Sequence, residues 1–382
     1  MPYKLILGRI HNYYLLNGAK PVSDPKDADL IIMGSCGSFH SMEDAALTKL
    51  KELRRHSQAR LVAFGCLVRI SPEKIAAIHP DRMISSPDWK KLISLIPGNS
   101  RTIEETPWPN EFTSVEEYRR FDPLRKFLLI QTGCSSNCPH CPHKLGIGAL
   151  ESLPMDEIMN QASRCVEAGA RELIVHGNDT GSYGTDRGGP FYPDLVERLL
   201  ILPIDLYLSQ INADWAYHYQ NEFLRLIENP RIKELQILIQ STSKRLLEIM
   251  GRRPIVLELE TFLARARALR PDILYRTDLI IGYPTSTREE DRRSTEFAGT
   301  FFDEIAVHAF EVFPKTPIAR MGLALHPKNV IEERLDETLT LLANMSDKVV
   351  HRGGQDYACL EKIEPLKESV RNKKCQSVKR KT

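Results

Sequence analysis

The sequence predicts an α/β protein, an N-terminal parallel-sheet α/β domain followed by a partial (β/α)6 barrel. Three observations lead there. Short continuous aliphatic runs, bounded by Gly and polar residues, have the form of strands buried on both faces. Stretches with apolar residues at three- and four-residue spacing separate them, the alternation of a parallel sheet joined by helical crossovers. A proline-rich stretch without periodicity after Ile96 divides this alternation into two units.

In the first unit, residues 1–97, KLILG (4–8), DLIIMG (29–34) and RLVAFG (60–65) read as strands. The segment 41–56 reads as a helix, with Ala45, Leu47, Leu50 and Leu53 on its apolar side and Ser41 with Asp44 as a capping pair. Residues 98–124 form the linker. The second unit, 125–325, holds six strand candidates: FLLIQTG (127–133), RELIVHG (171–177), DLYLSQI (205–211), ELQILIQ (234–240), LYRTDLIIGY (274–283) and EIAVHAFEVF (304–313). Helical text such as 155–168 and 257–268 lies between them. Six βα units in series favour a partial barrel, because the closed form has eight; a doubly wound sheet has the same local pattern. Residues 326–382 read as an amphipathic helix over 329–351, then a basic tail with eight Lys or Arg against three Glu from Glu361 onward.

The chain has 382 residues, a formal net charge of +2, 42% hydrophobic and 27% charged residues, which excludes a small stapled scaffold, a wholly disordered chain and a polycation. No apolar run approaches the roughly 20 residues that span a bilayer. The N-terminus lacks the apolar core of a secretory signal. The expected location is cytoplasmic, with no membrane partner. In that setting eight cysteines point to metal binding or catalysis rather than disulfides.

Cys134, Cys138 and Cys141 in QTGCSSNCPHCPHK stand in a CxxxCxxC spacing, directly after the first strand of the second unit. Structural zinc takes four ligands, usually in two pairs, and no second CxxC exists; His140 or His143 would have to complete such a site. Three thiolates instead suit a [4Fe-4S] cluster whose fourth iron stays open for a ligand. The C-terminal end of a barrel strand is where barrel enzymes place their chemistry. Asn178, Asp179, Asn212, Gln240 and Asp278 fall at comparable strand ends and are candidates for contact with cofactor or substrate, against ordinary loop hydrogen bonding. Tyr183 and Trp215 read as stacking partners for a base or as core residues, and Cys165 as a small core residue.

This motif resembles that of the radical S-adenosylmethionine (SAM) superfamily. The resemblance implies SAM chelated by the open iron and cleaved reductively to a 5′-deoxyadenosyl radical that abstracts hydrogen from an unactivated C–H bond, so no side chain is expected to be catalytic. It also implies an electron donor such as flavodoxin or ferredoxin. In the superfamily the residue before the third cysteine is usually aromatic and lies near the adenine; here it is His140.

Further stretches resemble the methylthiotransferases of that superfamily: ADLIIMGSC (28–36), FGC (64–66), HGNDTGSYGTDRG (176–188), QSTSKRLLEIMGRR (240–253), RPDILYRTDLIIGYP (270–284) and FEVFPKTPIARM (310–321). The NDTGSYG form is most similar to the branch that modifies threonylcarbamoyladenosine in tRNA. The resemblance implies methylthio insertion and a possible second, auxiliary iron–sulfur cluster held in part by Cys36 and Cys66. The chain departs from the family pattern in three places. Arg9, in GRIHN, stands where the family has its first N-domain cysteine, which leaves two thiolates unless His11, His40 or another group adds a ligand. Residues 330–382 are too short for the family's C-terminal RNA-binding barrel. Ile147-Gly148 and GYPTST (282–287) replace a basic-Gly pair and GFPGET. These departures leave open an enzyme acting on a peptide or small natural product, and a SAM-binding iron–sulfur protein without turnover. The basic tail offers sequence-independent phosphate contacts to tRNA, or is a solvated terminus.

Overall fold

The computed structural model describes residues 2–96, 100–106, 108, 124–345 and 348–353. The basic tail, Cys359, Cys375 and most of the proline-rich linker lie outside the described residues.

Two parallel sheets organise the chain. The first has three strands in the order β1 (Leu30–Ser35), β2 (Arg60–Gly65) and β3 (Arg82–Ser85). Alternation along β2 sends Val62 and Phe64 to one face and Leu61 and Ala63 to the other, and both faces are covered. The helix His40–His56 covers the second face with Leu47, Leu50 and Leu53. It begins after Phe39 without a side-chain cap, so the Ser41–Asp44 pairing does not form the helix start.

The first face is covered by a helix, Pro2–Leu16, where the sequence suggested a strand over KLILG. The physical reason is periodicity over a longer window. Leu5, Ile6, Ile10, Tyr13 and Tyr14 recur at helical spacing and are all buried against Val62, Phe64 and Trp89. The apolar run alone could not distinguish a buried strand from one turn of such a helix.

The second sheet contains all six expected strands, β4 (Arg125–Leu129), β5 (Glu172–His176), β6 (Asp205–Asn212), β7 (Ile232–Leu238), β8 (Leu274–Ile281) and β9 (Glu304–Ala309), in sequential parallel order. A seventh strand, β10 (Val349–Arg352), pairs in parallel with β9. The helix expected over 329–351 therefore ends at Ala343, and the chain turns back into the sheet. Among the described residues no pairing joins β4 to β10, so the barrel they form is open. Its core holds Leu173, Leu206, Leu235 and Ile305 with the facing helices.

The two ends of this barrel differ. The strand starts are closed by buried ion pairs: Arg276 bridges Glu234 at 3.3 Å and Glu304 at 2.7 Å, and Arg125 meets Glu172 at 2.5 Å. The strand ends form a polar mouth covered on one side by the N-terminal unit. Phe39 stacks on His308 at 5.4 Å, His40 on Phe313 at 4.4 Å, and Lys315 pairs with Glu73 at 2.7 Å.

Candidate active site

After β4 the chain makes a short antiparallel pair, Gln131–Thr132 with Glu151–Ser152, and then the cysteine loop. Gly133 turns the loop at φ +69°, and a Cβ there would lie 1.7 Å from the Ala149 carbonyl oxygen, so only glycine fits. The Cys141 N–H donates to the Cys138 carbonyl at 3.1 Å, and Cys141 leads into the helix Pro142–Ile147, with proline at its first turn. Lys144 Nζ donates to the Cys134 carbonyl. All three cysteines are free and half-buried. Burial pushes the Cys134 thiol up to about 12 and raises Cys141 as well. Such thiols give up their protons to a bound metal, which supplies the missing positive charge. Neither histidine of the motif turns toward these sulfurs as a fourth ligand. Tyr283 Oη lies 3.3 Å from His140 Nδ1, with the rings edge to face, and His143 lines a cleft with Cys36 and Cys66. Burial pushes His140 down to about 3, leaving a neutral ring.

A polar network lies beside the loop. Asp179 accepts from Trp215 Nε1 at 3.2 Å, Ser136 Oγ at 3.3 Å and the Asn212 N–H at 3.3 Å. Asn212 Nδ2 donates to Ser136 Oγ at 3.2 Å, so Asp179 and Asn212 are tied to the cysteine loop itself. Burial raises Asp179 to about 6 against those donors. Farther round the mouth, Asp278 accepts from Gln236 Nε2 at 3.4 Å and faces His308 Nε2 at 3.4 Å. The Gln240 N–H donates to the Asp278 carbonyl at 2.9 Å, and Gln240 holds φ +63°. Gln210 holds φ +60°, a conformation rare outside glycine and often found at functional sites. Among the described residues, Gln131 Oε1, His176 Nε2 and His308 Nδ1 are buried without a partner, polar capacity that a ligand in the mouth could use. Tyr183 is in the core, its hydroxyl donating to the Leu153 carbonyl at 3.0 Å, and Cys165 is also buried there.

Cys36 and Cys66 each follow the last residue of β1 and β2, and Ser35 pairs with Gly65, so the two lie side by side. Gly65 makes this approach at φ +125°, where a Cβ would lie 2.3 Å from the Ser35 carbonyl oxygen. Both cysteines are buried. The neighbouring Cys66 thiol, with His143, holds Cys36 well below the ordinary thiol range, while Cys66 is raised well above it; the pair favours a single negative charge. A cleft opens beside them, lined also by His143, Thr132, Gly133 and Asn178. Asn178 thus sits with the N-domain pair rather than with Asp179. Neither His11 nor His40 lines the cleft. Arg9 is turned elsewhere. It donates to the Ile103 and Thr106 carbonyls at 3.0 Å, pairs with Glu157 at 3.2 Å, and lies over the Trp108 ring at 4.4 Å.

Residues 128–298 match the family model described as the radical SAM superfamily, and residues 9–85 match the one described as Uncharacterized protein family UPF0004. The chain is 31% identical, over 83% of its length and 70% of the relative's, to the tRNA-2-methylthio-N(6)-dimethylallyladenosine synthase of Chloroflexus aurantiacus. The chain belongs to the radical SAM methylthiotransferase family. A second methylthiotransferase, the probable threonylcarbamoyladenosine tRNA methylthiotransferase of Archaeoglobus fulgidus, is 29% identical over 80% of this chain and 73% of its own. The ribosomal protein uS12 methylthiotransferase RimO of Clostridium perfringens is 25% identical over 94% of this chain and 82% of its own. The fold is similar to that of the radical SAM methyltransferase TsrM from Kitasatospora setae, with a TM-score of 0.57 at 14% identity, covering 81% of this chain and 66% of that one.

Methylthiotransferase membership makes a [4Fe-4S] cluster and SAM the cofactors of the barrel. The donor set at the mouth fits them, with three free thiols in one loop and a buried carboxylate and amide beside them. Sequence alone does not reveal His176 and His308, each with one unpartnered ring nitrogen, Ser136 as the link between loop and carboxylate, or His143 as a neighbour of Cys36 and Cys66 in one cleft. Of these, only His143 carries a sequence signal, its place two residues after the third cysteine. Among the described residues, no helix is long and apolar enough to cross a membrane.

Proposed function

We propose that this methylthiotransferase inserts sulfur, as methylthio, at an unactivated C–H bond of a modified tRNA adenosine. Support comes from the thiol loop at the barrel mouth with a second thiol pair across one short helix, in a chain whose relatives carry tRNA methylthiolation in their names. Cys134, Cys138 and Cys141 hold the cluster that binds SAM, which when bound supplies the hydrogen-abstracting radical. Asp179 and Asn212, fixed through Ser136, orient the SAM, and His140 lies toward its adenine. Gln240 and Asp278 face substrate from the far side of the mouth, and Asn178 from the cleft. Cys36 and Cys66 contribute to the auxiliary cluster. An electron donor such as flavodoxin or ferredoxin supplies the reducing equivalents, and a tRNA substrate sets the enzyme in the cytoplasm. One observation favours a second reading, a protein side chain as substrate: the similarity to RimO runs over 94% of this chain.

Nucleoside profiles of tRNA from cells with and without the gene test the reading. The expected result is the loss of one methylthio-adenosine and accumulation of its unmodified precursor. An unchanged profile, together with a mass loss on one ribosomal protein, would overturn the tRNA substrate in favour of the protein one.

A further inference from the structure

The N-terminal unit offers two thiols where its family resemblance implies three, and the place of the third is taken by Arg9, whose guanidinium is committed to Ile103, Thr106 and Glu157. A different donor faces the pair. The helix Pro142–Ile147, which leaves the barrel's own cysteine loop, abuts Cys66 through Gly146: a Cβ on Gly146 would lie 2.4 Å from Cys66 Cβ and 2.7 Å from its Cα. His143 is three residues earlier on that helix and so lies on the same face. It lines the same cleft as both thiols. Glycine at 146 brings the helix close enough for a side chain at 143 to reach across the boundary between the two units.

We propose that His143 is the third protein ligand of the auxiliary iron–sulfur site, which is then a Cys2His set built from two units of the chain rather than from the N-terminal unit alone. No three His, Cys, Asp or Glu side chains among the described residues close around a single point. In a polynuclear cluster each protein-bound iron takes its own donor, and imidazole is an established ligand to such iron. A neutral imidazole in place of a thiolate leaves the cluster less negative, a change that raises the reduction potential where histidine replaces cysteine.

The inference rests on the family reading of two clusters, and the experiment separates the two. A Cys134→Ala/Cys138→Ala/Cys141→Ala variant is reconstituted anaerobically with ferrous iron and sulfide, leaving only the auxiliary site to fill. The reduced cluster is expected to show strong nitrogen hyperfine coupling that changes on 15N-histidine labelling. His143→Cys is expected to keep the iron and lose the coupling, and His143→Ala in the otherwise intact chain to lower iron from about eight to about four per chain. Absence of any cluster in the triple variant, a cluster without nitrogen coupling, coupling that survives His143→Cys, or unchanged iron in His143→Ala would each overturn the assignment. Failure of SAM cleavage in the unmodified chain would count against the family chemistry instead, independently of where the nitrogen ligand lies.

Discussion

The barrel loop and the N-domain pair both gather sulfur, but the chain holds them by different means. Cys134, Cys138 and Cys141 lie within eight consecutive residues, and their geometry follows from one glycine turn, one proline-led helix and a lysine returning to the Cys134 carbonyl. Cys36 and Cys66 are thirty residues apart and meet only because β1 and β2 pair in register, with a helix from the other unit closing on them. A local site tolerates changes elsewhere, whereas an assembled one depends on every surface that meets there. Damage to the docking of the two units should therefore reach the N-domain pair first.

The largest effect should come from inside the local site. Cys138→Ala is expected to abolish SAM cleavage and remove about four irons per chain, with the N-domain iron retained; loss of both clusters would show that the sites are not separable. An intermediate effect is expected at Arg9. Arg9→Cys restores a thiol at the place the resemblance assigns to one, yet the side chain faces Trp108 and Glu157, so iron content should not rise. The variant should instead lose about 2 to 4 kcal/mol of stability, as two carbonyls and a carboxylate lose their donor. A gain of iron would break the contrast drawn here.

The smallest effect concerns the barrel mouth alone. Asp291 accepts from Arg334 at 3.3 Å, the Gly282 N–H at 3.4 Å and Ser286 Oγ at 3.5 Å, and so pins the loop 282–287. Burial nevertheless raises its carboxyl from 3.8 to about 6. The folded state then holds a proton that the unfolded chain has released, so this stabilisation is complete below about pH 4 and is lost as pH rises through 6. Between about pH 5 and 7 the loss is about 1 kcal/mol. Asp291→Asn should remove this contribution, so that in urea melts the unsubstituted protein loses about 1 kcal/mol relative to the variant between about pH 5 and 7; Asp179 contributes with the same sign and the lowered His140 and His176 with the opposite one, and all three remain in the variant. A slope unchanged by the substitution would reject the assignment.

The second sheet was legible because buried parallel strands are written as uninterrupted aliphatic runs, and each of its six expected strands is present. The first helix was not, since KLILG viewed by itself has no period and the stripe appears only when Ile10, Tyr13 and Tyr14 are included. The cysteine loop was legible from spacing alone. Asp179, Asn212 and Asp278 were placed at the mouth by strand polarity, but their partners depend on contacts between residues thirty or more positions apart, and spacing carries no trace of these. His143 was visible as a residue and not as a neighbour of Cys36, because that contact exists only once the two units have docked.

The last strand carries a consequence of its direction. Because β10 runs parallel to β9, it finishes beside His308, where the Gly353 N–H bonds the Val307 carbonyl at 2.7 Å. An antiparallel strand in the same position would have delivered the following residues to the ion-paired underside.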